Sequence, residues 1–379
     1  MVPKLRFKNY NRIEEKKIIN FAPLQRGYDL PVSQIEDGDY PVVFSNGILK
    51  KHSKYKVKGP GIVTGRSGTI GKVTYVKGNF WPHNTSLFVT DFFDNIPKYV
   101  YYYYQHIDFS KFSTGSGVPT LNRNDLHSLT VLVPAIEEQT KIADFLSSVD
   151  EKITLLNKQY DLLCQYKKGM MQKIFSQKLR FKDDNGKPFP KWNTLQLKDV
   201  AIRVTRKNKE NNNTILTISG RDGLVDQMTY FNKQIASKNV TGYYLIRKGE
   251  FAYNKSYSQG YPMGAIKMLS SYEKGVVSTL YICFKLNDEQ SCDFYQHYFE
   301  SGLQNRAIEK VAQEGARNHG LLNIGVNDFF DIELQVPGLA EQNKIAHFLS
   351  AIEDKIAVKR AELNMLKNWK QGLLQQMFV

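Results

Sequence analysis

Residues 131–176 read VLVPAIEEQTKIADFLSSVDEKITLLNKQYDLLCQYKKGMMQKIFS, and residues 334–379 read LQVPGLAEQNKIAHFLSAIEDKIAVKRAELNMLKNWKQGLLQQMFV. The two stretches align without a gap and are identical at 17 of 46 positions. Self-similarity of this kind makes the chain two copies of one unit. Pro134 pairs with Pro337, Glu138-Gln139 with Glu341-Gln342, Phe145-Leu146-Ser147 with Phe348-Leu349-Ser350, and Gly169 with Gly372.

Within each copy the apolar residues keep a helical beat. In the first, Ile142, Leu146, Val149, Ile153, Leu156, Tyr160 and Leu163 recur at alternating steps of four and three. In the second, Ile345, Leu349, Ile352 and Ile356 do the same, and Leu363 and Leu366 resume the beat one heptad further on. This is a heptad seam. A proline before each start suits helix entry. The spacing predicts two helices of about 40 residues, each about 60 Å long at 1.5 Å per residue. So narrow a seam does not bury itself alone, so the helices are expected to pair as an antiparallel coiled coil, with one domain near each end. The competing arrangement packs each helix on its own domain. Lys167 and Lys370 interrupt the seam at the same position of both copies. Each either fixes register or snorkels outward. Gly169 and Gly372 follow, at a cost of about 1 kcal/mol each in a helix interior.

The repeat continues upstream more weakly. Gly61-Ile62-Val63 resembles Gly249-Glu250-Phe251, and Ser86-Leu87-Phe88 resembles Thr279-Leu280-Tyr281. Short alternating runs (YPVVF, GIVT, GKVTYV, SLFVT and LTVLVP, then TILTIS, YYLI, FAYN, GAIKML and VVSTLYICFKL) lie between turn signals. They predict antiparallel β structure, with short helices near 97–112 and 292–312. The fold class is α+β: two β-rich domains, each followed by a long helix. The expected boundaries are 1–133 and 178–336 for the domains, and 134–177 and 337–379 for the helices. The β-rich parts diverge while the helices do not, as two sites with different targets require.

The formal net charge of +15 favours polyphosphate partners. The loop GRSGTIGK (65–72) combines permissive glycines with Arg66, Ser67 and Lys72. Its glycines are one residue too far apart for a nucleotide-binding Walker loop, and Val73 stands where a magnesium-holding hydroxyl belongs. The reading left is DNA contact, beside a plain solvated turn. Its counterpart, NKSYSQGYPMG (254–264), offers Lys255, Ser256, Tyr257 and Gln259, which suit base edges or phosphates. Further candidate DNA contacts are Arg26, Tyr28, His83, Asn84, Arg221, Arg317 and Asn318. Each of these alone could equally be an ordinary surface polar residue.

Three cysteines (Cys164, Cys283 and Cys292) are too few and scattered for a disulfide framework or a zinc site. The opening MVPKLRFKNYNRIEEKK lacks the apolar segment of a signal peptide, and no run reaches the ~20 apolar residues of a membrane span. A cytoplasmic protein is expected, with no metal and no cofactor. FSTGSG (112–117) has one residue too many for an S-adenosylmethionine loop, and neither an Asn-Pro-Pro-Tyr nor a His-Glu-x-x-His motif occurs. No catalytic residue is therefore assigned. A fused methyltransferase or nuclease fragment, and a scaffold that only assembles partners, stay as alternatives.

PAIEEQTKIADFLSSVDEKI and PGLAEQNKIAHFLSAIEDKI, YPVVFSNGI (40–48), GPGIVTGRSGTIGKV (59–73), and KLRFK at both 4–8 and 178–182 together resemble the specificity subunit of type I restriction-modification systems. The resemblance covers essentially the whole chain. It implies that each β-rich part is a target-recognition domain for one half of a split, asymmetric site in double-stranded DNA, and that the helices set the unread gap. It further implies two modification subunits, which methylate adenine with S-adenosylmethionine, and restriction subunits that join them. The chain itself would be non-catalytic.

Overall fold

A computed structural model describes residues 3–378 apart from 9, 11, 115–116, 221, 232–239 and 313–321. The chain divides into two compact units, Met1–Gln159 with Lys359–Val379, and Tyr160–Val358. The expected architecture is borne out: each β-rich domain leads into a long helix, Ile136–Phe175 or Leu339–Met377.

The two domains share one plan. In unit 1 a four-stranded antiparallel sheet has the order Leu24–Arg26, Ser86–Val89, Gly61–Gly65, Val73–Val76. In unit 2 the order is Ala201–Val204, Ile282–Leu286, Phe251–Asn254, Ala265–Met268. An opening strand then pairs with the strand that runs into the long helix, Ile13–Lys17 with Thr130–Pro134 and Asn193–Gln196 with Glu333–Val336. The helices near 97 and 292 appear as Pro97–His106 and Cys292–Ser301.

Burial corrects the upstream alignment. Ile62, Leu87 and Val89 enter the main core of unit 1, as Phe251, Ile282 and Phe284 enter that of unit 2. Val63 and Phe88 face a second, smaller core, as Ala252 and Cys283 do. Ile62 is therefore equivalent to Phe251, one residue away from the register that Gly61 and Gly249 suggested, and Leu87 to Ile282, two residues from that of Leu280. A one-residue slip in a strand exchanges its faces, so only one register places apolar residues inward.

Each unit contains the start of one long helix beside the end of the other, so the pairing is antiparallel. In unit 1, Ile142, Leu146 and Val149 share a core with Leu373, Leu374, Met377 and Phe378, and with Tyr99, Tyr102 and Val131 of the domain. In unit 2, Ile345, Leu349 and Ile352 meet Met171, Ile174 and Phe175. The seam thus packs on the domain and on the other helix together. Ile153, Ile356 and Leu366 are partly buried against these cores, Leu156 and Leu363 are buried, and Leu163 is half-buried.

The sequence motifs of the repeat turn out to be staples. Arg6 of the first KLRFK forks onto Glu138, with Nε–Oε1 3.2 Å and Nη2–Oε2 2.5 Å. Arg180 of the second forks onto Glu341 at 3.1 and 2.5 Å. The adjacent Phe7 and Phe181 pack on Phe145 and Phe348. Gln139 Oε1 accepts from Ile96 N at 3.0 Å, ahead of the helix Pro97–His106, and its Nε2 donates to Pro134 O at 3.0 Å. Gln342 repeats this with Ser291 N at 3.0 Å and Pro337 O at 2.9 Å. Buried polar groups need such partners, which is why Glu-Gln persists in both copies.

The seam lysines are paired rather than snorkelled. Lys370 Nζ lies 2.7 Å from Asp150 Oδ1 in unit 1, and Lys167 pairs with Glu353 in unit 2. Tyr102 OH donates to Asp150 Oδ2 at 2.9 Å and lies 3.2 Å from Ser147 Oγ. The matching place in unit 2 holds His297, 3.1 Å from Ser350 Oγ and 3.8 Å from Glu353 Oε1. Gly169 and Gly372 face open space, so packing within this chain does not require them.

His297 is expected to make unit 2 acid-sensitive. It is 1% exposed, and burial holds its pKa below the usual 6.5; Lys167 adds to this, while Glu353, Asp293 and Glu300 oppose it. The unfolded histidine takes up a proton near pH 6.5 and the folded one resists. The stability this contributes is present above about pH 6.5 and is lost as pH falls through the lower folded value. His297→Gln, which cannot be protonated, is expected to shrink the fall in melting temperature between pH 7.5 and pH 5.5. An unchanged fall would assign the acid sensitivity elsewhere.

Candidate nucleic-acid interface

In unit 1 the fold draws seven sequence-distant candidates to one edge. The central strand ends at Gly65, where a Cβ would lie 1.8 Å from Thr69 O, so only glycine admits the tight turn. Arg66 N and Ser67 N then donate to Thr85 O at 2.9 and 3.1 Å. Thr85 Oγ1 lies 2.9 Å from His83 Nδ1, and the His83 ring lies 4.3 Å from that of Phe44. Tyr28 N donates to Pro82 O at 2.8 Å, and Arg26 reaches Asp29 Oδ1 at 3.3 Å. Asn84 also donates to Asp29. Lys72 Nζ donates to Asn46 O at 2.5 Å, on the turn between Tyr40–Phe44 and Gly47–His52.

The electrostatics of this edge are mixed. Burial pushes the pKa of His83 below 6.5, with a backbone hydrogen bond at Leu30 and the charge of Asp29 opposing. At neutral pH it is an uncharged imidazole, able to donate or accept one hydrogen bond. Asp29 offsets the charge of Arg26 in a pair whose side chains are 51% and 73% exposed, so the pair itself adds little stability. Arg66 and Ser67 are half-buried, whereas Tyr28 and Lys72 are exposed.

Unit 2 builds its edge at the same topological place. Lys255 follows the central strand Phe251–Asn254 as Arg66 follows Gly61–Gly65. Lys255 O accepts from Leu322 N at 3.0 Å, and Arg66 O accepts from Leu121 N at 2.8 Å. The two basic residues are therefore equivalent by hydrogen bonding as well as by sheet order. Ser256 N donates to Asn254 Oδ1 at 3.1 Å, and Lys255 Nζ to Ile324 O at 3.4 Å. Tyr257 and Gln259 are exposed.

Tyr261 anchors this loop. Its hydroxyl donates to Gly220 O at 2.7 Å, lies 2.9 Å from Glu300 Oε1 as the alternative acceptor, and accepts from Lys267 Nζ at 2.8 Å. Lys267 also pairs with Glu300. Arg221, Arg317 and Asn318 lie outside the described residues. Thr85, Asp29, Asn46 and Tyr261 position the edges and were not singled out from the sequence. Each acts through a partner far along the chain, and no spacing pattern reports such a partner. Among the described residues no His, Cys, Asp and Glu group could hold a metal ion, and no helix is long and apolar enough to cross a membrane.

The architecture is thus two domains of one topology, each presenting a pinned basic loop and tied to an antiparallel helix pair. Residues 12–165 match the family model described as Type I restriction modification DNA specificity domain, and the chain as a whole is similar to specificity subunits of type I restriction-modification systems. The type I restriction enzyme MjaVIII specificity subunit of Methanocaldococcus jannaschii is 34% identical over 92 residues, 23% of this chain and 22% of that protein. The putative type I restriction enzyme MjaX specificity subunit of the same organism is 26% identical over 272 residues, 67% of this chain and 60% of that protein. The aligned region thus spans less than two thirds of either curated relative.

Among solved structures, the S subunit of a type I restriction-modification system from M. genitalium matches with TM-score 0.62 and 17% identity, over 100% of this chain and 99% of that one. A chain from work on complex assembly and conformational transition of the type I R-M system matches with TM-score 0.53 and 12% identity, over 96% and 97%. At these identities the likeness concerns the fold alone.

Proposed function

We propose that this chain is the non-catalytic, sequence-reading subunit of a cytoplasmic type I restriction-modification complex. Residues 1–133 and 178–336 each read one half of a bipartite, asymmetric site in double-stranded DNA. The helical segments 134–177 and 337–379 set the gap. The chain directs modification subunits to adenines in the site, and restriction subunits join them. The observation that carries this reading is the equivalence of Arg66 and Lys255. Two loops are pinned by the same backbone hydrogen bond, yet they expose different side chains. The scaffold is repeated and the lettering on it is not, which is what recognition of two unlike half-sites requires.

The helices support a pair of modification subunits. Leu155, Leu162 and Tyr166 on the first helix are 58%, 54% and 52% exposed. Their repeat equivalents Val358, Met365 and Trp369 are 56%, 66% and 50% exposed. In unit 1, Leu155, Met365 and Trp369 line an open groove of about 600 Å³ with Lys152, Gln159 and Glu362. Large exposed apolar residues clustered this way mark interaction sites, and the repeat supplies each unit with the same three positions.

The test is to express the chain with its modification subunit and map methylated adenines. Arg66→Ala is expected to relax one half-site and Lys255→Ala the other, each by about 1–3 kcal/mol of discrimination. Equal loss of both halves in either variant, or methylation at unsplit sites, would overturn the reading.

A further inference from the structure

Positive charge is concentrated in one part of unit 1. Residues 40–90 contain eight Lys and Arg and no Asp or Glu. Five of the eight, Lys50, Lys51, Lys54, Lys56 and Lys58, fall within nine residues. The strand Gly47–His52 lies at the edge of a three-stranded sheet, and its pairing register shifts between Val42 and Val43 of the neighbouring strand. A regular strand would turn its residues alternately inward and outward. Here Ile48, Leu49, Lys50 and Lys51 are all exposed. The segment that follows keeps Lys54, Lys56 and Lys58 in solvent, held to the domain by Val57 N donating to Phe80 O at 3.0 Å and by Lys56 lying 5.2 Å over the Trp81 ring.

This basic run adjoins the candidate reading edge, because Lys72 binds Asn46 O at the turn of the same hairpin. Acidic opposition is slight. Asp39 lies 4.0 Å from Lys51, and Glu36 accepts from Ser53 Oγ at 2.7 Å. Lysine on an edge strand also discourages pairing with other chains, but that role stops at the strand and leaves Lys54 and Lys58 unexplained.

We propose that this lysine arm is a second, sequence-independent DNA contact of unit 1, gripping phosphates beside the half-site served by the Arg66 loop. It rests on the DNA-reading function above. Lysine ammonium groups act as point charges toward phosphate, and phosphate contacts carry no base code.

The experiment replaces Lys50, Lys51, Lys54 and Lys58 with glutamine in the full chain and leaves Lys56 on Trp81. Binding is measured from low to moderate salt on two duplexes, one with the mapped site and one with that site scrambled. Affinity for both is expected to fall by the same factor, at least about tenfold, and the slope of log K against log salt to flatten by about 3–4. Arginine at the same four positions should keep the wild-type slope, and its loss would count against the proposal. A glutamine variant with wild-type slope and affinity would overturn the arm while sparing the reading function. Loss confined to the mapped duplex would show base reading rather than a phosphate grip. A wild-type chain that binds neither duplex would overturn both.

Discussion

Arg6→Ala is expected to lower the stability of unit 1 by about 3–5 kcal/mol, the usual cost of leaving half of a buried ion pair behind. Glu138 is fully buried, and Arg6 holds both of its oxygens. Without the guanidinium the carboxylate must be hydrated, protonated or left uncompensated. Arg180→Ala is expected to cost less, because Trp192 Nε1 still donates to Glu341 Oε2 at 3.2 Å. Lysine in place of Arg6 restores the charge but not the fork, so it should recover only part of the loss. Removing both partners, as Arg6→Met with Glu138→Leu, should recover most of it. Denaturant unfolding measures all of these. Arg12→Ala is the control, since its pair with Glu14 is 77% and 43% exposed. A loss for Arg6→Ala no larger than for that control would show that the buried pair contributes nothing.

The second large effect concerns the proposed spacer. Asp150 meets Lys370 in unit 1, so residues 152–158 of the first helix run opposite 362–368 of the second. Duplicating both segments adds one heptad to each helix and keeps the seam in phase. Each heptad adds about 10.5 Å, so the preferred gap between half-sites should grow by about three base pairs. Three base pairs also turn the groove by roughly a third of a revolution, so affinity should fall. Three added heptads, about 32 Å, approach one full turn of DNA and should restore much of the affinity at a gap about nine to ten base pairs longer. Site selection from a library with a randomised gap reads this directly. Selection of the original gap by the lengthened chains would remove the helices from the role of spacer.

The long helices were legible because a heptad repeated across the chain is a strong signal, and the strands because turn residues bracket them. Registration of the domain repeat was not. Two-residue periodicity over four or five positions tolerates a slip, and only the burial of Ile62 and Phe251 settles it. The motifs that carried the family resemblance, KLRFK and Glu-Gln, were visible, but their pairing was hidden: Arg6 and Glu138 are 132 residues apart. The candidate edge of unit 1 shows a similar division. Arg66, Lys72 and His83 could be suspected from residue type, while Asp29, which occupies both Arg26 and Asn84, could not.

One pair of backbone hydrogen bonds reaches beyond either unit's chemistry. Leu179 N donates to Lys173 O at 3.0 Å, where the chain runs directly from the first helix into the second KLRFK. Leu5 N donates to Gln376 O at 2.9 Å, the repeat equivalent, although no peptide linkage joins those segments. In one unit covalent continuity ties helix end to domain start. In the other the same junction is held by this hydrogen bond, while the Arg6 fork and the Phe7–Phe145 ring contact tie the same segment to the start of the first helix. The repeat is therefore cyclic: neither copy comes first, and the order in which a gene spells them is incidental to the object they build.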